Sequence, residues 1–509
     1  MSTAQTILRL IQASAERAPD SDAFLAPDLN PLSYSGLSRL AETTVAALNR
    51  FGIGRNDSVC VVLPNGPTMA SVFVCCSAGC TCAPLNPGYR REELEFYLDD
   101  LSAKALIVEE GAQSPATEAA QALGIPLIEA RVDSAQPAGW FALQGEPRDL
   151  QSAGGFAEPS DVGLVLHTSG TTARPKIVPL TQANLAASAS HISATLRLTS
   201  QDRCLNIMPL FHIHGLIGAL LSSINAGAEV VCTPGFNPMK FFGWLDQFKP
   251  SWYSAVPTMH QTILARARRN AQIITDSRLR LIRSSSAALP PQVLAELEKT
   301  FDAPVVESYG MTEATHQMTS NPLPPAARKP GLVGLPAGPQ VSIMNDSGDH
   351  LPTGETAEIV IKGPNVTPGY ANNPEANEKS FTDGWFRTGD QGRIDEDGYL
   401  FITGRLKEII NRGGEKISPR EIDEVLLDHE AVAQAVTFAT PHDKLGEEVA
   451  AAIVLAPSAT ATEREIRDFA SQRLADFKVP RKVLFLDEIP KGPTGKVQRI
   501  GLAAKLGLG

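Results

Sequence analysis

Apolar residues first recur at helical spacing over residues 6–17, a pattern that predicts one amphipathic helix stopping before Pro19. A short apolar run at 23–25 reads as a strand, and residues 35–50 read as a second helix closed by Gly52 and Gly54. Strand 58–63, a helix from Gly66, a strand leading into 83–87, a helix over 91–98 and a buried strand at 105–108 continue the alternation. Such a β-α-β-α rhythm predicts a mainly parallel sheet covered by helices. Residues 132–160, rich in Pro, Gly and Ser, read as a surface connection.

A second round opens at Asp161 with the apolar run 162–166 and a helix from Thr181. Helices over 239–248, 259–269 and 291–301 then alternate with strands at 252–256, 279–284 and 304–307. After Asn321 short strands punctuated by Gly and Pro run to about Gly404, predicting a smaller β-rich subdomain. From Arg405 a compact tail offers helix 419–428, strands 432–439 and 450–455, and helix 463–473. The class expected is α/β. A large N-terminal domain of αβ-layered sheets with a small β-rich subdomain covers 1–404, and a small α+β C-terminal domain covers 405–509.

Charge narrows the partners. Lys and Arg total 45 against 56 Asp and Glu, so the net charge is −11. Nucleic acid and anionic membrane surfaces both reward clustered Lys and Arg, which makes them poor partners for this chain. Anions must then be met in a local site. No apolar run is long and uniform enough to span a membrane, the first helix lacks the uninterrupted apolar stretch of a signal peptide, and residues 506–509 do not form a peroxisomal address. A cytoplasmic protein is expected. Cys75, Cys76, Cys80 and Cys82 fall in a small-residue apolar stretch without paired C-x-x-C spacing, so packed, reduced thiols suit them better than a zinc site.

The string HTSGTTARPK, residues 167–176, follows the apolar run 162–166. Its hydroxyls (Thr168, Ser169, Thr171, Thr172), Gly170 and Lys176 suit a loop that wraps phosphate through hydroxyl and backbone donors plus one mobile cation. It is not a Walker A loop, since G-x-x-x-x-G-K-S/T is absent. A polar surface turn fits the string equally well, and the rest of the chain decides between the two.

Five further strings follow that chemistry: PLFHIHG (209–215), YGMTE (309–313), WFRTGD (385–390), GRLKEIINRGGEKISP (404–419) and PKGPTGK (490–496). This set, in this order and across essentially the whole chain, resembles the adenylate-forming superfamily of acyl-CoA ligases, coumarate–CoA ligases and luciferases. The resemblance implies ATP, Mg²⁺ and coenzyme A as co-substrates and cofactor, a small-molecule carboxylate as acceptor, and a mobile C-terminal lid carrying the hinge and the catalytic lysine. Weak homo-oligomerisation stays open.

By that resemblance Lys496 bridges the acyl carboxylate and the α-phosphate, His212 gates the acyl site, and Lys407 sits with Arg405 at the hinge. Glu307, Ser308 and Tyr309 flank the adenine, Thr312 bonds the α-phosphate, Glu313 holds Mg²⁺, and Asp390 and Arg405 share the ribose. Gly413 and Gly414 give room for the pantetheine arm. The types suit the reaction independently, because two anions must be brought together while charge builds at phosphorus. Departures also occur. Ala173 and Ile177 stand where glycine is usual, and Asn411 and Gly413 stand where many coumarate ligases have lysines.

His212 and His214 would share one side of an extended segment, where a zinc pair, an acyl-site gate or a core histidine could each use them. The segment 282–289 with Ser284, Ser285 and Ser286, and the following Thr315 and His316, is polar where a fatty or aromatic acid would need hydrocarbon. RSSSA and MTEATHQMTSNPLP (311–324) resemble the oxalate–CoA ligases within the superfamily. The expected reaction is oxalate + ATP + CoA giving oxalyl-CoA, AMP and diphosphate, with Ser285, His316, His212 and His214 at the acid. The alternatives are a ligase for medium-chain or aromatic acids and a silent nucleotide-binding protein. The silent form should lack Lys496, Glu313 or Asp390, and all three are present.

Overall fold

The first helix, Ile7–Arg17, is capped by Thr6, whose hydroxyl accepts from the Arg9 N–H, and the second, Tyr34–Arg50, is capped in the same way by Ser33. The protein is described by a computed structural model over residues 5–168, 175–490 and 498–508. Its chain divides into two compact units, Met1–Val341 with Ile361–Phe386, and Ser342–Val360 with Arg387–Gly509.

Two large sheets dominate the first unit. One has nine strands, with a parallel centre running from Asp22–Leu25 through Glu229–Cys232, Arg203–Asn206, Trp252–Ala255 and Leu281–Ser284 to Val305–Met311. The other has seven, with Ser58–Val61, Thr81–Pro84, Ala105–Glu109 and Leu127–Arg131 parallel at its centre and antiparallel strands at both ends. The expected rhythm is present, but its two rounds exchange strands. Asp22–Leu25 joins the nine-stranded sheet, while the motif-bearing Val162–Thr168 joins the seven-stranded one beside Thr81–Pro84. Helix Pro67–Ser77 is buried on all sides, which is why its apolar pattern lacks helical periodicity.

Two expectations need correction. Residues 132–160 are not wholly a surface connection, because Ala142–Gln144 pairs as the edge strand of the seven-stranded sheet. Strand 304–307 continues to Met311 and turns back antiparallel through His316–Ser320, which carries most of YGMTE onto a hairpin.

A five-stranded sheet uses Gln340–Met344, Ala357–Lys362, Phe381–Thr382, Trp385–Ile394 and Leu400–Arg405, short strands of the kind expected there. In the second unit Val432–His442 and Gly446–Leu455 form a long antiparallel pair, with Lys482–Phe485 parallel to the latter. Helices Pro419–Leu427 and Glu463–Ser471 cover them around Ile410, Ile417, Ile422, Val449, Ile453 and Ile466. The fold is therefore α/β with mixed sheets and a smaller C-terminal domain, as the pattern predicts. All seven cysteines are buried and unpaired, and burial pushes the Cys60 thiol up to about 12. Among the described residues no helix is long and apolar enough to cross a membrane.

Candidate active site

Thr168 and Lys176 face each other as the last in-register pair of the antiparallel hairpin Val162–Thr168 and Lys176–Thr181. The described ends of the string thus sit opposite each other on the two strands. Ser169, Gly170, Thr171, Thr172 and Ala173 lie outside the described residues. Ile177 is buried in the core beside this hairpin, a physical reason for an apolar residue where glycine is usual. One pair back along the hairpin, the His167 ring is 3.0 Å from Asp100 through Nε2, and burial pulls its titration below the ordinary histidine value.

From Lys176 a short chain of contacts leads to Glu313. The Lys176 ammonium lies 4.2 Å over the Tyr370 ring. The Tyr370 hydroxyl donates to Glu313 Oε1 at 2.9 Å, and both residues are buried. Burial, then the neighbouring Glu313 charge, raises the Tyr370 phenol, so it stays a donor at any working pH. Glu313 is thus an oriented hard-oxygen carboxylate, a donor type that fits Mg²⁺ shared with substrate phosphates and water. Glu313 would hold magnesium there, and the ion would supply positive charge against the phosphates. Upstream, Glu307 Oε1 accepts the Leu289 N–H at 2.9 Å and Ser308 is buried, while Tyr309 is half-buried and Thr312 opens a single helical turn.

Of the acyl-site candidates, His214 and His316 meet in the same unit. His212 and His214 are not on an extended segment. His214 begins a wide helical stretch, His214–Leu221, so alternation does not place the two rings on one face. Among the described residues no group of three potential ligands completes a metal site with them. His214 is held at both nitrogens, with Ser286 Oγ 3.0 Å from Nδ1 and Ser254 Oγ 2.6 Å from Nε2. Its ring stacks on His316 at 5.0 Å between centroids and 23° between planes. His212 is half-buried against Phe211, 4.7 Å between ring centroids. Ser285 donates to the Ser308 carbonyl at 3.0 Å, and so braces the strand end.

His316 adopts φ +98° after Thr315 at +50°, left-handed values that cost a non-glycine residue about 1–3 kcal/mol each. Asn365 holds the turn by donating to the carbonyls of Ala314 and Gln317 at 2.8 and 3.0 Å. Gly310 makes the crossing feasible, since a Cβ there would lie 1.6 Å from the His316 carbonyl oxygen. A bulge between Tyr309 and Gly310 sits in the same hairpin, a device that re-aims side chains.

In the second unit Asp390 and Arg405 are cross-strand partners, with Arg405 Nε 3.3 Å from Asp390 Oδ1. Asp390 is buried and Arg405 exposed. Lys407 is exposed in the turn Leu406–Glu408. Gly413 and Gly414 form the two-residue turn between Ile410–Arg412 and Glu415–Ile417, at φ +60° and +99°. Positive φ at both central positions is what a type I′ hairpin turn demands, so these glycines shape the backbone whatever they bind. Lys496 lies outside the described residues.

Sequence reasoning missed Arg283, Ser254, Gln317, Asn365 and Tyr370. Arg283 carried a signal, a charge inside a run patterned as a buried strand. Tyr370 and Asn365 carried none, since they reach the site from more than fifty residues along the chain.

The AMP-binding enzyme family matches residues 11–371, and the AMP-binding enzyme C-terminal domain matches 421–496. The chain is 43% identical over 500 residues to an oxalate–CoA ligase of Arabidopsis thaliana, covering 97% of both chains. An oxalate–CoA ligase of Saccharomyces cerevisiae is 43% identical over 470 residues, covering 87% of this chain and 86% of that one. Among solved structures, ATP-bound MatB from Rhodopseudomonas palustris superposes with a TM-score of 0.87 at 28% identity, covering 98% of this chain and 99% of that one.

Proposed function

We propose that this chain, which belongs to the AMP-binding family of adenylate-forming acid–CoA ligases, activates oxalate. Enzymes of this class use ATP, Mg²⁺ and coenzyme A. One oxygen of a substrate carboxylate attacks the α-phosphorus of ATP and diphosphate leaves. The thiol sulfur of CoA then attacks the acyl carbon of the adenylate, AMP leaves, and the thiol proton goes to solvent.

The observation that carries the oxalate reading is the polar cluster of buried His214, His316, Ser254 and Arg283 with half-buried Ser286. A hydrocarbon chain laid against this cluster would leave the buried Arg283 cation without an opposite charge, which is costly, whereas a second carboxylate would supply that charge. The relatives named as oxalate–CoA ligases support the same acid.

The site roles are assigned on that basis. Lys496 offsets charge between the oxalate carboxylate and the α-phosphate, and Lys176 with Thr168, Ser169, Gly170, Thr171 and Thr172 holds the outer phosphates. Tyr309, with Glu307 and Ser308, receives the adenine, Thr312 the α-phosphate, and Asp390 with Arg405 the ribose. His316, His214, Ser285 and His212 surround the acid, and Gly413 and Gly414 admit the pantetheine arm. We place the functional boundary at residues 404 and 405, with Lys407 in the hinge. We also place the enzyme in the cytoplasm, a reading supported by seven buried free thiols. Its net charge of −11 favours small molecules over nucleic acid or membrane surfaces as partners.

Replacing His316 with Ala tests the assignment. The KM for oxalate should rise far more than the KM for ATP, and equal effects on both would sink it.

A further inference from the structure

Arg283 lies in the central strand Leu281–Ser284 and is fully buried. Among the described residues it pairs with no carboxylate. Its Nη1 is 2.8 Å from His316 Nε2, its Nη2 donates to Gln317 Oε1 at 3.1 Å, and its Nε makes no hydrogen bond. Burial pulls this guanidinium down to about 9, which still leaves it cationic near neutrality.

A guanidinium has donors and no acceptor. The contact to His316 therefore requires Nε2 to accept, which puts the His316 proton on Nδ1. Gln317 is fixed in turn, because its Nε2 donates to Thr195 Oγ1 at 3.1 Å and to the Ala337 carbonyl at 3.0 Å, leaving its oxygen for Arg283. Gly218 clears the space for this contact. A Cβ there would sit 2.5 Å from His316 Nε2 and 3.0 Å from Arg283 Nη1. A buried cation without an anionic partner is costly, and a dianionic substrate supplies the missing charge where a monocarboxylate with a hydrocarbon tail would not.

We propose that Arg283 is the positioning residue for acid selection: it holds His316 as an Nδ1–H donor and sets a positive field behind it that favours a second substrate carboxylate. This deepens the oxalate reading and rests on it. Arg283 acts through His316 rather than by touching the reacting atoms.

The test compares wild type, Arg283→Lys and Arg283→Met, each with and without His316→Ala, reading kcat and the separate KM values for oxalate and ATP. Losing a hydrogen bond from a charged group should raise the oxalate KM of Arg283→Met about ten- to hundredfold while the ATP KM changes little. Arg283→Lys should recover part of the loss, and in the His316→Ala background Arg283→Met should add clearly less than it does in wild type. A parallel rise in both KM values, an equal increment without His316, or a lysine variant no better than methionine would overturn the proposal. Should Arg283→Met fail to fold, judged by its thermal transition, Arg283→Lys decides alone, and an oxalate KM equal to wild type overturns it. Wild-type turnover of oxalate with an unaffected Arg283→Met removes this inference and spares the oxalate reading. A wild type active only on other acids removes both.

Discussion

Replacing Tyr370 with Phe removes one oxygen and leaves the ring. In the native protein that hydroxyl donates to Glu313 Oε1 at 2.9 Å, with the two residues 7% and 6% exposed, so water competes little for either atom. A hydrogen bond to an ionised, buried acceptor contributes about 1.5–3 kcal/mol, equivalent to roughly ten- to hundredfold in an equilibrium constant. The Phe ring still lies beneath the Lys176 ammonium, which the native ring holds at 4.2 Å. The perturbation therefore falls on the carboxylate and spares the cation. Diphosphate release measured against Mg²⁺ concentration, at saturating ATP and acid, should show the half-activating Mg²⁺ concentration rising by about that ten- to hundredfold factor. Tyr370→Leu, which also removes the surface under Lys176, should in addition raise the KM for ATP. An unchanged Mg²⁺ dependence in Tyr370→Phe, with an intact thermal transition, would refute Glu313 as an oriented metal ligand.

Gly218→Ala should act like a mild loss of Arg283, because the added Cβ forces His316 Nε2 away; steady-state kinetics should show a raised oxalate KM with the ATP KM nearly unchanged. Asp202 predicts a pH effect on stability. Burial pushes its carboxyl up, but the Arg280 guanidinium, the Ser251 hydroxyl and the Thr199 N–H outweigh that and hold it below the usual carboxylate range. A depressed folded-state value means stability that is present above the unfolded carboxyl value of about 4 and lost as pH falls through the folded one. Thermal unfolding of Asp202→Asn should therefore lie several degrees below wild type at neutral pH, with the gap closing below about pH 4. A gap that persists in acid would contradict this ion pairing.

What the sequence reveals depends on how local the causes are. Helices such as Pro291–Phe301 and Glu463–Ser471 follow from periodicity and caps that lie within them. Which sheet each strand joins does not, since Val162–Thr168 and Asp22–Leu25 are equally apolar runs whose pairing is settled by distant partners. The same division runs through the site. Ordered motif strings mark the hairpin ending at Thr168 and Lys176, Glu313, and the Asp390–Arg405 pair, because each is short and carries its own chemistry. Tyr370 and Asn365 escape notice because their roles exist only once the chain brings them to Glu313 and to the strained turn at His316. His214 shows the opposite failure. Its two-residue spacing from His212 suggested a strand face, and the backbone takes a helical turn there instead.

Formation of AMP, measured with ATP, Mg²⁺ and coenzyme A across oxalate, malonate, acetate, octanoate and coumarate, tests the central claim most directly. The account predicts strong preference for oxalate, with kcat/KM for octanoate and coumarate far lower. Preference for octanoate or coumarate would leave an acid–CoA ligase in place but contradict the assignment of Arg283, His214 and His316 to a second carboxylate.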